Sequence, residues 1–515
     1  MTGLVHSSVF IWLLLLTSVV AMLGRFIKIP YTIALVLTGL FVGYLKLLPG
    51  VHLEPEVLFA IFLPPLLFEA GINIHLEPLK KNWKIITALA LLGTVLSTLV
   101  VGYSLHILLG LQLLLTLLFG AIISPTDPIS VLAIFKRLGV AKRLSVIVEA
   151  ESLFNDGIAV ILFSVIQGIL ITGTFSLAQS ELAFIRTFFG GALVGIAIGA
   201  AASRITREFD DHLLEITLTT ITAFGSYMAA EGFHVSGVIS VVAASLVVGN
   251  YGMKSGMTPV SRMAVLSFWE YAAFVANSLV FLLVGLEMTN ITFRDNLFSV
   301  VIAVIAVLLG RVFSIYGLSA LLNRFGLSIP GNFQHVLVWS GLRGALSMAM
   351  VLGLEASIPE RSFLITVTFG VVLFSLVVQG LTIEHLINKL GLTTTNEELR
   401  DYQSLLGESM ALRSALAEID RHVLNGNVSQ IARDDAVEAL LERQKEIDAL
   451  IKELHLKNEV IMAAEGDKAG QIILTAQRNA LQEAARNGII DYTMAAKIIG
   501  DLENDNNEKH NESNI

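Results

Sequence analysis

The sequence contains no cysteine, and only 15% of its 515 residues are charged. The absence of cysteine excludes disulfides, thiolate metal sites and cysteine nucleophiles. The scarcity of charge accompanies 54% hydrophobic residues and a mean hydropathy of +0.74, a balance that excludes an ordinary soluble enzyme. The apolar runs are long and continuous and do not alternate with a period of two, which excludes a transmembrane β-barrel. The composition therefore predicts an all-α polytopic membrane protein.

Charge is not only scarce but unevenly placed. Residues 1–392 contain 21 Lys and Arg against 20 Asp and Glu, whereas residues 393–515 contain 13 against 23. We therefore predict a membrane domain, 1–392, and an acidic tail, 393–515. Apolar residues at three- and four-residue spacing predict soluble amphipathic helices in the tail. Its last residues, 504–515, have the composition of a disordered segment, and the tail lacks a glycine-rich nucleotide fingerprint.

Polar breaks divide the membrane domain into thirteen candidate spans. A span needs about 20 residues, so the boundaries of the second and ninth, which are short, are approximate. The first run lacks a basic leader and a small-residue cleavage site, which indicates a retained helix rather than a signal peptide. The candidate spans are roughly 8–24, 30–46, 56–74, 85–109, 112–136, 144–172, 182–203, 213–231, 235–250, 263–288, 297–321, 333–355 and 361–388.

Basic residues in the loops predict the orientation. With thirteen spans, fifteen Lys and Arg fall on one side of the membrane and four on the other. Cytoplasmic loops carry the excess of positive charge. The sequence therefore predicts a protein of the cytoplasmic (plasma or inner) membrane, with its N-terminus outside and its tail in the cytoplasm.

Two of the predicted spans are interrupted. Thirteen spans accommodate two inverted six-helix repeats joined by the seventh span, so that the fifth span corresponds to the twelfth. The fifth is broken by Ser-Pro-Thr-Asp-Pro at 124–128 and the twelfth by Ser-Gly-Leu-Arg-Gly at 340–344. Each proline removes a helical donor and disfavours helix in the residue before it. Broken helices at matching positions predict a transporter site at the midplane, and ordinary kinks are the alternative.

Carboxylates within spans five and six mark the candidate site. Asp127 lies in the break of span five, and span six carries Glu149, Glu151 and Asp156. Ionisable residues at bilayer depth are costly and indicate function. We predict that Asp156 is the principal carboxylate and Asp127 the second. Glu149 fits a cation-attracting cytoplasmic entrance and a solvated helix end equally well.

Hard oxygen ligands accompany these carboxylates. Ser152 lies four residues before Asp156 and shares its helix face, where both can meet Thr126 and Asp127 across a gap. Carboxylate, hydroxyl and carbonyl oxygens suit a dehydrated alkali cation, whereas a transition metal prefers imidazole or thiolate. The pattern predicts a monovalent cation site and leaves the choice among Na⁺, Li⁺ and K⁺ open.

The remaining buried charges are expected to support this site. Glu151 and Asn155 form the neighbouring stripe of span six, and Arg343 lies in the break of span twelve. An unpaired Arg in the bilayer is costly, so we predict a structural Glu151–Arg343 ion pair, the alternative being a water-filled funnel around Arg343. We interpret Arg311 as a snorkelling side chain and Glu69 as a structural residue near a helix end.

A proton and a cation competing for one buried carboxylate constitute the minimal mechanism of an antiporter. A charged, empty site is costly in the membrane, whereas a neutralised one is not. A passive cation channel lined by the same carboxylates is the alternative. An intramembrane aspartyl protease with Asp127 and Asp156 as its dyad is a third hypothesis, although the Pro-flanked Asp127 suits cation ligation better.

Four motifs resemble a known family. They are Phe-Leu-Pro-Pro-Leu-Leu-Phe-Glu-Ala-Gly at 62–71, Thr-Asp-Pro at 126–128, Glu-Ser-Leu-Phe-Asn-Asp-Gly at 151–157 and Gly-Leu-Arg-Gly-Ala at 341–345. Because it contains these four motifs in this order, the region 8–390 is similar to the monovalent cation:proton antiporter-1 family. The similarity is greatest to the bacterial NhaP type of this family, which is related to the eukaryotic sodium–proton exchangers.

The resemblance implies a homodimer in which a six-helix core moves against a dimerisation domain. It also implies cation coordination by Asp127, Ser152 and Asp156 with the Thr126 backbone, and a structural Glu151–Arg343 pair near Asn155. The Asn155-Asp156 dipeptide is similar to that of the electroneutral members, so exchange of one Na⁺ (or Li⁺ or K⁺) for one proton is expected. No cofactor, enzymatic activity or nucleic-acid partner is implied.

Overall fold

The computed structural model describes residues 2–24, 30–47, 55–173, 176–208, 211–253, 256–290, 296–355, 357–393, 397–424 and 429–457, with a few single residues between 473 and 498. The chain divides into two compact units, Met1–Thr394 and Thr395–Ile515. The segment 504–515, for which the sequence predicts disorder, lies outside the described residues.

Helices make up nearly all of the first unit. Seven of them are long and apolar enough to cross a membrane, and the predicted all-α membrane fold is confirmed, while the thirteen spans and the inverted repeat stay predictions. The fifteen helices that we number in its described part are α1 Thr2–Gly24, α2 Tyr31–Tyr44, α3 Leu58–Asn73, α4 Leu76–Leu109, α5 Leu113–Ile123, α6 Ile129–Leu138, α7 Lys142–Thr172, α8 Leu177–Ile205, α9 His212–Gly232, α10 Gly237–Gly252, α11 Pro259–Glu287, α12 Leu297–Arg324, α13 Gly331–Trp339, α14 Ala345–Leu352 and α15 Arg361–Lys389.

Both predicted helix breaks are present, between α5 and α6 and between α13 and α14. The two breaks cross and pair, because the backbone N–H of Asp127 donates to the Leu342 carbonyl at 2.8 Å. Gly344 permits this approach, since a Cβ added there would lie 2.6 Å from the Asp127 Cβ. The crossing places two stretches of non-helical backbone in the protein interior, where other residues can satisfy their polar groups.

The membrane helices pack in two groups. The broken pairs α5–α6 and α13–α14 pack with α4, α7, α12 and α15, whereas α2, α3, α8, α9, α10 and α11 pack mainly with one another. The helices α2 and α11 approach closely at Gly39 and Gly285, where an added Cβ would lie 2.1 Å and 2.2 Å from backbone oxygens of the opposite helix. Small residues allow such close contact between membrane helices. The candidate site lies where the two groups meet.

The second unit contains an antiparallel helix pair, α16 Glu397–Leu424 and α17 Gln430–Lys457. Gln444 of α17 donates to the Ser409 hydroxyl of α16 at 2.9 Å and to the Asp448 carboxylate at 2.9 Å. Arg443 donates to Glu408 across the pair at 2.9 Å. Residues 436–454, where apolar residues recur at three- and four-residue spacing as in the amphipathic helices predicted for the tail, lie within α17.

Candidate functional site

Asp127 and Asp156 line one small cavity of about 80 Å³, which we call the inner chamber. This volume holds roughly two or three water molecules at about 30 Å³ each, which suits a largely dehydrated ion. The chamber is bounded by the break between α5 and α6, by α3, by α7, by α11 and by the start of α14. The predicted pair of carboxylates is therefore brought together at the crossing of the breaks.

Asp127 is fixed at the beginning of α6. Its Oδ1 accepts the Ile129 backbone N–H at 3.0 Å, which satisfies one of the donors that every helix leaves unpaired at its N-terminus. The positive end of the helix dipole also favours a carboxylate here. The side chain is thus held at the start of α6, where Asp127 lines the chamber.

Asp156 projects from the middle of α7 beside the Thr126 backbone. Its Oδ1 is buried and has no hydrogen-bond partner among the described residues. The carboxylates of Asp127 and Glu151 interact with it electrostatically. A buried carboxylate oxygen without a partner is costly, so this atom favours a bound proton or cation.

Thr126 is held by two side chains of α7. Its hydroxyl hydrogen bonds to Ser152 Oγ at 2.7 Å and accepts from Asn155 Nδ2 at 2.8 Å, while the Ser152 hydroxyl donates to the Thr126 carbonyl. Thr126 lines the inner chamber, but Ser152 and Asn155 are not among its lining residues. The structure therefore places these two predicted site residues behind Thr126, where they fix its position.

The predicted Glu151–Arg343 pair is wrong, because the structure pairs Glu151 with Arg311. Arg311 Nη1 lies 2.7 Å from Glu151 Oε1, and Nη2 lies 3.0 Å from Oε2. Snorkelling of Arg311 is also wrong, since this residue is buried in the middle of α12. It lies fourteen residues from the first residue of α12, about 21 Å along the axis at 1.5 Å per residue, which is beyond the reach of its side chain.

Arg343 instead binds backbone carbonyls that have no helical partner because of the break between α5 and α6. Its Nη1 donates to the Ser124 oxygen at 2.8 Å and to the Pro125 oxygen at 3.1 Å. Its own backbone N–H donates to Ser375 Oγ at 3.0 Å, in a π-helical turn of α15. The guanidinium thus provides donors and positive charge at the C-terminal end of α5, where unpaired carbonyls and the helix dipole favour a cation.

A larger cavity of about 540 Å³ shares lining residues with the inner chamber, and we call it the outer cavity. Arg137 and Glu384 line it and form an ion pair with each other. Glu69, which sequence reasoning assigned to a helix end, lines both cavities. Glu149 lines the inner chamber and interacts electrostatically with Glu69.

Three residues that contribute to the site were not predicted as part of it. Arg311 is the partner of Glu151, and Glu69 and Asn277 line both cavities. Arg311 and Glu69 are charged residues within apolar runs, and this sequence feature could have identified them as part of the site. Asn277 gave a weaker signal, because a single Asn in a span is an ordinary helix–helix contact.

Comparison with known proteins places this geometry in context. Residues 13–389 match the family model described as "Sodium/hydrogen exchanger, transmembrane". The chain is 43% identical to the Na⁺/H⁺ antiporter ApNhaP of Aphanothece halophytica, over 77% of this chain and 76% of the relative. It is 40% identical to the low-affinity Na⁺/H⁺ antiporter NhaS1 of Synechocystis over 76% of each chain.

Two further similarities concern the tail and the fold. The Na⁺/H⁺ antiporter NhaG of Bacillus atrophaeus is 36% identical over 92% of this chain, so that similarity extends beyond the membrane unit. The solved structure of the sodium proton antiporter MjNhaP1 from Methanocaldococcus jannaschii superposes with a TM-score of 0.64 and 21% identity, covering 76% of this chain and 99% of that one. At that identity the likeness establishes the fold.

Proposed function

Because the chain belongs to the sodium/hydrogen exchanger family, we propose that it exchanges Na⁺ for protons at the inner chamber. The observation that carries the proposal is the pair of carboxylates, Asp127 and Asp156, in one small chamber, with the buried Oδ1 of Asp156 lacking a partner among the described residues. Li⁺ and K⁺ present the same charge to the same oxygens and differ in radius. The chamber suits transport rather than catalysis, so the protein acts as a transporter and not as an enzyme.

Asp156 carries either ion in this mechanism. When it is ionised, it binds the cation together with Asp127 and Thr126. When it is protonated, its negative charge is gone and the cation leaves. Each cycle therefore moves one cation against one proton, which is electroneutral exchange.

Ser152 and Asn155 act on the cation through Thr126. Their hydrogen bonds to the Thr126 hydroxyl and carbonyl fix the backbone of the break against α7. A ligand held in this way loses little conformational freedom when the ion binds. Glu149 and Glu69 add negative charge at and near the chamber, which raises the local concentration of cations.

The outer cavity provides access from one side of the membrane. Its lining residue Arg137 belongs to the set of basic residues that predicts the cytoplasmic side. We assign the cavity to the cytoplasmic face of the plasma or inner membrane, with the N-terminus outside. Alternating access then requires a second conformation in which the chamber opens to the other side. The proposal also includes a homodimer, in which the helices α2, α3 and α8 to α11 form the part of each protomer that does not move.

The test is exchange in liposomes that contain the purified full-length protein and an acid-inside proton gradient. Addition of Na⁺ is expected to dissipate the gradient, with Li⁺ and K⁺ added separately to rank the cations. Asp156→Asn is expected to remove this response while retaining the helical circular dichroism spectrum and the elution volume of the parent. Full exchange in that variant contradicts the assignment of Asp156.

The same liposomes distinguish exchange from a channel. An electroneutral exchanger gives the same rate when valinomycin and K⁺ clamp the membrane potential at different values. A cation flux that continues without a proton gradient and follows the membrane potential identifies a passive channel instead, and the competition mechanism is then wrong.

A further inference from the structure

Asn277 is a buried polar residue whose chemistry the site described above does not use. It lies on α11, only 6% exposed, and its Oδ1 is buried without a hydrogen-bond partner among the described residues. Burying an amide oxygen without a partner costs about 1–3 kcal/mol. A position that only needs to be filled is better served by Leu, so this Asn requires another explanation.

The position of Asn277 supplies that explanation. Among the described residues, the lining of the outer cavity and that of the inner chamber have three in common, which are Glu69, Ile129 and Asn277. Two of these three residues, Glu69 and Asn277, have polar side chains that can bind an ion. A cation that passes from the outer cavity to Asp156 therefore passes the Asn277 carboxamide and the Glu69 carboxylate.

The face of α11 that contains Asn277 follows the cation path. Glu270, Ala273 and Asn277 occur at three- and four-residue spacing and all line the outer cavity. Glu270 lies seven residues before Asn277, about 10 Å along the helix axis. Of these three, Asn277 alone also lines the inner chamber, so it marks the deep end of the path and Glu270 the shallow end.

We propose that the Asn277 carboxamide oxygen is a ligand of the transported cation at the entrance of the inner chamber. A neutral oxygen replaces a water molecule of the ion's hydration shell without adding a further full charge to a chamber that carboxylates already line. Rotation of the carboxamide presents the oxygen to the chamber when an ion arrives. This inference rests on the proposed cation exchange and assigns to it a ligand from outside the broken helices.

The origin of this ligand also has a consequence for selectivity. The helix α11 packs chiefly on α2 and α3, whereas Asp127 and Asp156 belong to the group that contains the broken helices. The distance between Asn277 and the carboxylates thus depends on how the two helix groups sit together. A ligand set divided between two groups discriminates cation radius through that distance.

The first variant is Asn277→Leu, which keeps the side-chain volume and removes the unpartnered oxygen. The unfolding temperature in detergent is expected to equal or exceed that of the parent, because an uncompensated buried polar group is lost. The apparent KM for Na⁺ in proteoliposomes is expected to rise at least about tenfold, because the charged ion loses one of its ligands. The turnover at saturating Na⁺ should stay within about twofold of that of the parent. Asn277→Gln retains the carboxamide and should recover part of the affinity.

Asn250 provides a matched control, since it is also 6% exposed. Its Nδ2 donates to the Ile74 oxygen at 2.8 Å and its Oδ1 accepts the Leu76 N–H at 3.0 Å, and it lines neither cavity. Asn250→Ala should therefore lower the unfolding temperature and leave the KM for Na⁺ unchanged. An unchanged KM in Asn277→Leu, or an equal rise in KM in Asn250→Ala, overturns the proposal.

A second measurement separates this proposal from the proposed function. Na⁺ added to the detergent-solubilised parent should raise its unfolding temperature, and the Na⁺ concentration giving the half-maximal shift should rise about tenfold in Asn277→Leu. Absence of exchange by the parent in liposomes rejects the proposed function alone. The ligand role of Asn277 is rejected if the half-maximal Na⁺ concentration is identical in the parent and in Asn277→Leu. If the Leu variant does not fold, the same measurement is made on Asn277→Ala.

Discussion

Glu151 of α7 and Arg311 of α12 form a buried, two-pronged ion pair, with N···O distances of 2.7 Å and 3.0 Å. Arg311 Nε also donates to the Leu337 oxygen at 3.1 Å, at the end of α13. Asn155 Nδ2 lies 3.3 Å from Glu151 Oε1 and so connects this pair to Thr126 at the chamber. The pair therefore links the site-bearing helix α7 to α12 and to the second broken helix.

Removal of one partner is expected to destabilise the protein strongly. Glu151→Gln leaves the Arg311 charge buried without a counter-charge, which costs about 3–5 kcal/mol. Chemical unfolding in detergent, followed by tryptophan fluorescence, measures this loss. The double variant Glu151→Gln/Arg311→Met, in which both charges of this pair are removed, should recover a large part of the stability.

The identity of the partner is tested by comparing two double-mutant cycles. The cycle of Glu151→Gln with Arg311→Met should give a coupling energy several times that of Glu151→Gln with Arg343→Met, because Arg343 donates to the carbonyls of Ser124 and Pro125. The assignment of Arg311 as the partner fails if the second coupling energy equals or exceeds the first.

Gly344→Ala is expected to abolish exchange. The added Cβ would lie 2.6 Å from the Asp127 Cβ, in backbone that cannot move without separating the two breaks. Asp127 would lose its bond to Leu342 and its place in the chamber. Sodium-driven dissipation of a proton gradient measures the effect, and Gly317→Ala is the matched control because no atom lies within 4 Å of its added Cβ. Wild-type exchange by Gly344→Ala would show that the breaks tolerate displacement.

Competition between proton and cation at Asp156 predicts a defined pH dependence. Protons occupy the carboxylate at low pH, so the apparent KM for Na⁺ should rise as the pH falls, by up to tenfold per pH unit. Saturating Na⁺ should restore the rate at moderately acidic pH. Initial rates in liposomes at several pH values and Na⁺ concentrations test this, and a KM that is independent of pH, with only the maximal rate changing, contradicts a shared site.

The tail helix pair should loosen when Asp448 loses its charge. The hydrogen bond from Gln444, and also the charge of Arg413, lower the pKa of Asp448 below its ordinary value of 3.8. A lowered pKa means that the contribution to stability is present at neutral pH and is lost as the pH falls through the folded-state value. Asp448→Asn should therefore increase amide hydrogen exchange in α16 and α17 at pH 7, whereas Glu442→Gln, for which the described contacts include no partner, should not. Equal exchange in the Asp448 and Glu442 variants contradicts this role.

The sequence by itself determined the class of the protein and the helices that carry the site. Hydrophobic runs of spanning length must form helices, because lipid offers the backbone no hydrogen bonds. Pro125 and Pro128 remove helical donors, and the break at 124–128 follows directly from their local chemistry. The carboxylates Asp127 and Asp156 were recognisable because charge in an apolar run is costly and is retained for a purpose.

Only the tertiary structure decided which side chains meet. The sequence predicted Arg343 as the partner of Glu151 and a snorkelling Arg311, but helix packing paired Arg311 with the carboxylate and placed Arg343 at the carbonyls of the break. Helical spacing likewise put Ser152 on the face of Asp156, but the crossing of the breaks set it behind Thr126. Asn277 lies 121 residues after Asp156 in the chain but lines the same chamber. Local periodicity fixes the face of a helix, whereas its partners depend on packing between distant segments.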